Sequence, residues 1–178
     1  MRIDGLSLRD FAIYICDYLI KNEIDIVLSG GACVSIYTKN RYMSYDLDFV
    51  LISHKEQKEI RRLLVAIGFY EEEMFFKHKE TKYFLHFVSP PLSIGNEPVI
   101  KVHEIKRGSR TLRLLSPTDC VKDRLSAYYH WNDRQSLDQA VMVARKNRVN
   151  ISEVRRWSIR EQNYEKYRIF YNLFKMET

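Results

Sequence analysis

The sequence predicts an α/β protein in which a mixed sheet is flanked by helices and followed by a helical carboxy-terminal region. Three observations predict this class. Short apolar runs typical of strands alternate with helical periodicity over residues 1–115. A strand leads through a glycine pair into a helix near the amino terminus. Over residues 116–178 the apolar spacing is helical, so we expect an α/β domain at 1–115 with a helical region packed on it.

Length and composition restrict the class of protein further. The chain has 178 residues, 46% of them hydrophobic, which suits a packed core but is too short for extra catalytic domains. Its apolar runs are far below the roughly 18 residues of a membrane span, and Asp4, Asp10 and Asp17 are atypical of a leader peptide. We therefore expect a cytoplasmic protein with no membrane partner. The cysteines, expected to be buried thiols because they lack zinc-site or disulfide spacing, are Cys16, Cys33 and Cys120.

Strands are predicted where short runs rich in β-branched and aromatic residues end at glycine, proline or polar turn residues. The last two strands are joined by a turn at residues 107–109. Because helices follow the first two strands while later strands follow one another through turns, the sheet is expected to be mixed. The predicted strands span residues 24–28, 46–52, 69–76, 82–88, 99–106 and 111–115.

Helices are predicted where capping residues precede apolar residues spaced three and four apart. Ser7 and Asp10 form one capping box, and Ser53 and Glu56 form a second. A third, at residues 116–119, carries proline in the first helical turn and begins the helical region. Two apolar stripes mark the helices that follow. They consist of Leu137, Ala140, Val141 and Ala144, and then of Val154, Trp157, Tyr164, Tyr167, Tyr171 and Phe174.

The most specific segment begins with Ser29, Gly30 and Gly31 after the first strand and continues with Asp46 and Asp48 on the second. Side chains at i and i+2 of a strand point to the same face, so the two carboxylates can bind one divalent cation. The backbone N–H groups after the glycine pair begin a helix, where a phosphate binds favourably. Either motif alone is common. In this order they predict a metal-dependent phosphate site.

A glycine pair after the first strand, followed by Asp-x-Asp on the next, resembles the signature of the DNA polymerase beta-like nucleotidyltransferase superfamily. This resemblance covers residues 24–51. Residues 116–125 and 129–140 resemble a group of uncharacterised small bacterial and archaeal members. That group is similar in layout to abortive-infection type toxin nucleotidyltransferases, in which helices follow a minimal catalytic domain. The resemblance therefore implies a minimal nucleotidyltransferase fold.

The resemblance also implies roles for individual residues. Residues 29–31 contact the triphosphate of an NTP, and Asp46 and Asp48 hold Mg²⁺ or Mn²⁺. Lys122, on the first helix of the helical region, contacts the triphosphate. The alternative for Lys122 and for Arg124 is an ordinary solvated charge on a helix surface.

One position departs from the superfamily pattern. Members carry a third Asp or Glu on a later strand, which completes the metal that activates the attacking hydroxyl. At the position where we expect it, this chain has His86. His86 is either a structural residue, a proton acceptor, or a ligand for a metal softer than Mg²⁺. Glu104, on the strand predicted at 99–106, is the first candidate to replace it from another strand.

Positive charge is concentrated near the carboxy terminus. The net charge is +6, and the segment from Arg145 onward has nine basic and four acidic residues, which is +5. Such a segment is either a solvated helix face or a contact surface for a polyanion such as RNA. The aromatic stripe in it is either core or a platform for stacked bases. The arginines beside the stripe are Arg155, Arg156, Arg160 and Arg168.

Two functions are consistent with these features. The first is transfer of a nucleoside monophosphate from an NTP–Mg²⁺ complex to a hydroxyl on a protein, an RNA or a small molecule. The second is a catalytically weakened superfamily member that binds nucleotide or nucleic acid, for example within a toxin–antitoxin pair. The acceptor, the preferred base and the oligomeric state stay open. The sequence contains no Walker or Gly-x-Ser-x-Gly motif.

Overall fold

The structure, a computed structural model, describes residues 3–52 and 57–176. Its strands are β1 (Ile26–Leu28), β2 (Asp46–Leu51), β3 (Tyr70–Glu72), β4 (Phe75–Lys77), β5 (Phe84–Val88), β6 (Ser93–Ile94), β7 (Glu97–Pro98), β8 (His103–Arg107) and β9 (Arg110–Leu114). Its helices are α1 (Leu8–Lys21), α2 (Gly30–Tyr37), α3 (Gln57–Ala66), α4 (Pro117–Trp131), α5 (Arg134–Lys146), α6 (Ile151–Arg160) and α7 (Tyr164–Lys175). Across these two ranges, no helix has the length and apolar character needed to cross a membrane.

The sheet has the mixed character that the sequence predicts. Within the described residues, seven strands are ordered β3-β4-β5-β2-β1-β9-β8, and β6 pairs with β7 in a separate hairpin. β2 is parallel to β5 and β1 is parallel to β9, whereas β1 and β2 are antiparallel. The two strands expected to carry the phosphate and metal site are therefore direct neighbours near the centre of the sheet.

Two predicted strands differ from the observed ones. The segment 69–76 is not one strand but the hairpin β3–β4, in which Tyr70 pairs with Lys77 and Glu73 adopts a positive φ of 57° at the turn. The run of three glutamates before Met74 favours this exposed turn over a continuous buried strand. The strand predicted at 99–106 begins later, at His103. The capping box predicted at Ser53 and Glu56 lies outside the described residues.

The predicted caps of α1 and α4 are confirmed. The Ser7 hydroxyl accepts a hydrogen bond from the Asp10 backbone N–H at 3.2 Å, and the Ser116 hydroxyl accepts one from Asp119 at 3.1 Å. The Asp133 carboxylate caps α5 in the same way. These bonds satisfy N–H groups that the first helical turn leaves unpaired. They fix where each helix begins.

A single cluster of buried apolar side chains extends from the sheet into the carboxy-terminal helices. It includes Leu28 of β1, Val34 of α2, Leu125 of α4 and Trp157 of α6, all fully buried. The cluster has members on both sides of residue 116, such as Leu115 and Cys120. As a result, α4 and α5 pack against α2, the helix that begins with the glycine pair.

Candidate functional site

The candidate site lies where β1 ends beside the beginning of β2. The antiparallel register places Leu28 opposite Phe49. The next residue, Ser29, therefore meets Asp48, whose backbone carbonyl accepts hydrogen bonds from the Ser29 N–H at 2.9 Å and from its hydroxyl at 3.2 Å. Strand pairing thus brings together two motifs that are separated by 15 or more residues in the sequence.

The two aspartates project from the same face of β2. Leu47 and Phe49 are fully buried in the core, whereas Asp46 and Asp48 on the opposite face are half-buried. This alternation follows from the two-residue period of a strand. The predicted shared face of Asp46 and Asp48 is confirmed.

Gly30 is required by a close approach between α2 and Asp48. Its φ is +65°, and a Cβ at this position would lie 2.5 Å from Asp48 Oδ2. A Cβ on Gly31 would lie 2.9 Å from the Ser44 hydroxyl. Both distances are shorter than a carbon–oxygen contact allows. The glycine pair therefore lets the first turn of α2 lie directly against the side chains beside β2.

Ser44 is a site residue that the sequence reasoning missed. Its hydroxyl donates to Asp46 Oδ1 at 2.5 Å, and its backbone N–H donates to the Ser35 hydroxyl at 2.9 Å. Ser44 is 4% exposed, so these bonds are shielded from water. They hold the Asp46 carboxylate in one orientation relative to α2. A serine two residues before an aspartate carries no signal that identifies this role in advance.

His86 lies beside Asp48 because β5 is parallel to β2. The register pairs the two residues, and His86 Nδ1 is 3.0 Å from Asp48 Oδ1. The Phe75 ring packs beside the imidazole, with ring centroids 5.6 Å apart. The side chains of His86 and Asp48 are 30% and 27% exposed, so both face the same partly open surface. The structure thus places His86 within hydrogen-bond distance of Asp48.

Glu104 is too far away to replace His86. It lies on β8, three strand positions from β2 in the sheet. At about 4.8 Å between neighbouring strands, that separation is about 14 Å. Glu104 instead lies 3.7 Å from Arg113 Nε. The alternative in which Glu104 supplies the third carboxylate is therefore wrong.

Burial raises the pKa of Asp48 above its ordinary value of 3.8. The hydrogen bond from His86 opposes this rise, the negative charge of Asp46 adds to it, and the charges of His86 and Arg124 oppose it again. The net shift is upward because a half-buried carboxylate loses water that these neighbours only partly replace. Asp48 therefore carries its negative charge at a free-energy cost that its neighbours only partly offset.

The donor set fits a divalent cation that arrives with a nucleotide. In the described part of the chain, no group of three or more His, Cys, Asp or Glu side chains is arranged to hold a metal ion. Mg²⁺ in nucleotide sites typically takes one or two carboxylates and completes its shell with phosphate oxygens and water. Asp46 and Asp48 match that requirement, whereas a permanently bound metal needs more ligands from the protein.

Lys122 does not lie on an exposed helix face. It is 7% exposed, and its Nζ is 3.0 Å from Asp119 Oδ1 and 3.4 Å from Glu153 Oε1. The predicted triphosphate contact requires Lys122 to leave these carboxylates. The solvated-charge alternative is wrong for this residue, because burial and two ion pairs hold it between α4 and α6.

Arg124 also does not match the solvated-charge alternative. Its side chain is 18% exposed, and its Nε and one terminal nitrogen donate to Asp123 Oδ2 at 2.9 and 2.6 Å. Its positive charge acts on Asp48. The Arg124 guanidinium is therefore held by Asp123, and it weakly lowers the pKa of Asp48 through its charge.

Comparisons with known proteins agree with this architecture. The chain is similar to the crystal structure of an antigenic nucleotidyltransferase-like protein from Paracoccidioides brasiliensis, with a TM-score of 0.58 and 14% identity over 80% of this chain and 78% of that one. This likeness defines the class of the fold, which is that of nucleotidyltransferase-like α/β proteins. The mixed-sheet fold expected from the sequence is confirmed.

Two structures of the antibiotic-resistance factor ANT(2'')-Ia are also similar, each with a TM-score of 0.48 and 11% identity over 90% of this chain. The alignments cover 89% of the solution structure and 92% of the crystal structure with adenylyl-2''-tobramycin. No protein-family model matches the chain, and no curated protein matches it.

Replacing Gly30 with alanine tests the close approach between α2 and Asp48. Gly108 has a similar φ of +60° with nothing within 4 Å of a Cβ, so Gly108→Ala is a matched control for backbone strain alone. We expect Gly108→Ala to cost about 1–2 kcal/mol and Gly30→Ala to cost about 1–3 kcal/mol more, because the methyl group displaces Asp48. Urea unfolding measures both. Equal losses would show that Asp48 does not restrict this position.

The raised pKa of Asp48 predicts a pH-dependent stability. A carboxyl group whose pKa is higher in the folded state stabilises the fold at low pH, and this contribution is lost as pH rises through the folded value. Asp48→Asn is therefore expected to melt higher than wild type at neutral pH, with a gain that shrinks towards the ordinary aspartate value of 3.8. Melting curves across this range measure the difference. A gain that is constant with pH contradicts the assignment.

Proposed function

We propose that this chain transfers a nucleoside monophosphate from an NTP–Mg²⁺ complex to a hydroxyl acceptor, in the cytoplasm. The observation that carries the proposal is the meeting of a helix start formed by Gly30 and Gly31 with the carboxylates of Asp46 and Asp48. A phosphate chain is attracted to the first N–H groups of α2, and a cation shared with the carboxylates neutralises it. The fold class supports this function in general terms.

The residues of the site have three roles in the proposed reaction, which are phosphate binding, metal binding and proton transfer. Ser29, Gly30 and Gly31 line the phosphate end of the site, and Asp46 and Asp48 hold Mg²⁺ or Mn²⁺, which supplies positive charge at the phosphoryl group. The acceptor oxygen forms a bond to the α-phosphorus, and pyrophosphate leaves with its bonding electrons. Since His86 Nδ1 is bound to Asp48, its Nε2 is the atom that takes the acceptor proton.

The acceptor enters through a cleft beside His86. This cleft has a volume of about 290 Å³. Its lining combines His86 with charged groups and apolar groups from α3, the β3–β4 hairpin and β5. These are Ile60, Arg61, Glu71, Glu73, Met74, Phe76 and Phe87. Arg61 forms an ion pair with Glu71 at 2.6 Å. Glu73 is the other carboxylate of the lining, and it does not take part in this ion pair.

Arg124 and Lys122, the two cations of α4, have different roles in the proposed nucleotide binding. In this proposal the Arg124 charge, which lowers the pKa of Asp48, also attracts the triphosphate, while its guanidinium stays bonded to Asp123. Lys122 reaches the triphosphate only after it separates from Asp119 and Glu153. Its role in nucleotide binding is the part of the proposal that depends on the sequence resemblance alone.

A second candidate function is favoured by His86. With imidazole in place of a third carboxylate, the metal that activates the acceptor loses a negatively charged ligand. On this account the chain binds nucleotide or nucleic acid with little turnover, for example as a component of a toxin–antitoxin pair. The two functions differ in whether the α-phosphate of an NTP becomes covalently attached to an acceptor.

Calorimetry and a labelling assay test the proposed function together. We expect Mg²⁺ to tighten NTP binding in wild type but not in Asp46→Asn/Asp48→Asn, since the cation joins the carboxylates to the triphosphate. Asp138→Asn, at an exposed position of α5, is the control and should bind like wild type. Transfer of α-phosphate label to an acceptor supports catalysis. Equal affinity with and without Mg²⁺ in wild type contradicts the site.

Substitution of His86 tests its part in catalysis. His86→Glu is expected to raise turnover with Mg²⁺ several-fold, because it restores a third carboxylate next to Asp48. His86→Ala is expected to lower turnover on the order of 100-fold, the effect of losing a general base. Label transfer over time measures both. Turnover that is unchanged in both variants removes His86 from the mechanism.

A further inference from the structure

The positive charge near the carboxy terminus is largely engaged in contacts within the fold. Glu97 pairs with Arg156 at 2.6 Å and with Arg160 at 3.2 Å, and Arg168 pairs with Glu165 at 3.1 Å. Arg145 donates hydrogen bonds to backbone carbonyls at the end of α7. The charge of this segment in the sequence therefore overstates the positive surface that it leaves free.

Unpaired positive charge is instead concentrated in a concavity between α1, α2 and α5, which we call the basic concavity. Its volume is about 510 Å³. Four exposed cations line it, namely Arg9 of α1, Lys39 and Arg41 of the α2–β2 loop, and Lys146 at the end of α5. Among the described residues, no carboxylate lines the basic concavity and no salt bridge involves these four side chains.

The ends of two helices do not cancel this charge. α2 and α5 both end at the basic concavity, and each helix terminus contributes about −0.5 charge. The Asn147 side chain donates to Tyr37 O at 3.2 Å and to Val143 O at 2.9 Å, which satisfies one carbonyl of each helix. Four full positive charges against about one negative charge leave a net attraction for anions.

We propose that the basic concavity binds the phosphate backbone of a single-stranded nucleic acid. Adjacent phosphates of one strand match several cations in one depression, and the apolar part of its lining, Ile36, Tyr37 and Ile105, contacts sugars or bases. An isolated small anion needs only one or two of the four cations. The inference depends on this charge arrangement and not on the proposed nucleotidyl transfer.

The basic concavity and the aspartate pair lie at opposite ends of α2. That helix has eight residues, so its ends are about 12 Å apart. The loop that carries Lys39 and Arg41 continues directly into β2 and Asp46. A strand bound in the concavity is therefore held within a short distance of the site where phosphate chemistry is proposed.

Fluorescence anisotropy with a labelled 15-nucleotide RNA of mixed sequence tests the proposal. Each phosphate contact on a single strand contributes about 0.7 to the slope of log affinity against log salt, so Arg41→Ala/Lys146→Ala should reduce the slope by about 1.4. At about 50 mM salt, the same relation predicts that this double variant binds the RNA roughly 50-fold more weakly than wild type does. The matched control is Lys58→Ala/Arg62→Ala, which removes the same charge from exposed positions of α3.

The controls separate this surface from the catalytic proposal and from general charge effects. Asp46→Asn/Asp48→Asn should keep RNA binding, even if it removes NTP binding. Equal weakening in the two alanine pairs, or no binding by folded wild-type protein at low salt, overturns the proposal. Tighter binding of polyglutamate than of RNA through the same residues also overturns it, because the surface is then a docking site for an acidic protein. Unchanged melting temperatures of the variants show that folding is not the cause.

Discussion

The site depends on one steric constraint, the contact between Gly30 and the side chain of Asp48. The antiparallel pairing of β1 with β2 brings the start of α2 so close to Asp48 Oδ2 that no Cβ fits between them. Ser29 fixes the same geometry through two hydrogen bonds to the Asp48 carbonyl. Strand register, helix start and carboxylate position are therefore one arrangement, and a shift in any of them changes the other two.

Placing Asp48 in this arrangement costs electrostatic free energy, and burial of apolar side chains in the surrounding fold offsets that cost. Asp48 is half-buried, close to another carboxylate, and has a raised pKa. Below it, Leu47 and Phe49 are fully buried in a core that continues into the carboxy-terminal helices. Burial of such side chains contributes about 1.5–3 kcal/mol each, so a few of them offset the free-energy cost of the partly buried Asp48 carboxylate. Along β2, the aspartates thus carry the electrostatic cost of the site, whereas the alternate residues Leu47 and Phe49 stabilise the sheet.

The sequence was informative where local rules decide the outcome. The two-residue period of a strand predicts that Asp46 and Asp48 share a face, and the caps at Ser7 and Ser116 predict where two helices begin. These features depend on residues close together in the chain. The glycine pair was also identified correctly as the start of a helix, because a short apolar run precedes it and residues that can form a helix follow it.

Features made by distant segments could not be predicted in this way. Helical spacing on α4 could not show that Lys122 is buried between Asp119 and Glu153, because that burial depends on how α6 packs against α4. The Ser44 bond to Asp46 depends on the path of the α2–β2 loop. The four cations of the basic concavity come from three separate elements and only Lys146 belongs to the carboxy-terminal segment, so a charge count along the chain does not reveal them.

The parallel pairing of β2 with β5 has a consequence for how this fold can diversify. The two strands hold Asp48 and His86 side by side, although 37 residues separate them in the sequence. Within that excursion lie α3 and the β3–β4 hairpin, which supply Arg61, Glu71, Glu73 and Met74 to the cleft beside His86. Insertions or substitutions there would reshape the wall of the cleft, while the strand ladder keeps Asp48 and His86 side by side. Most of the cleft wall and the Asp48–His86 pair thus come from different stretches of the chain.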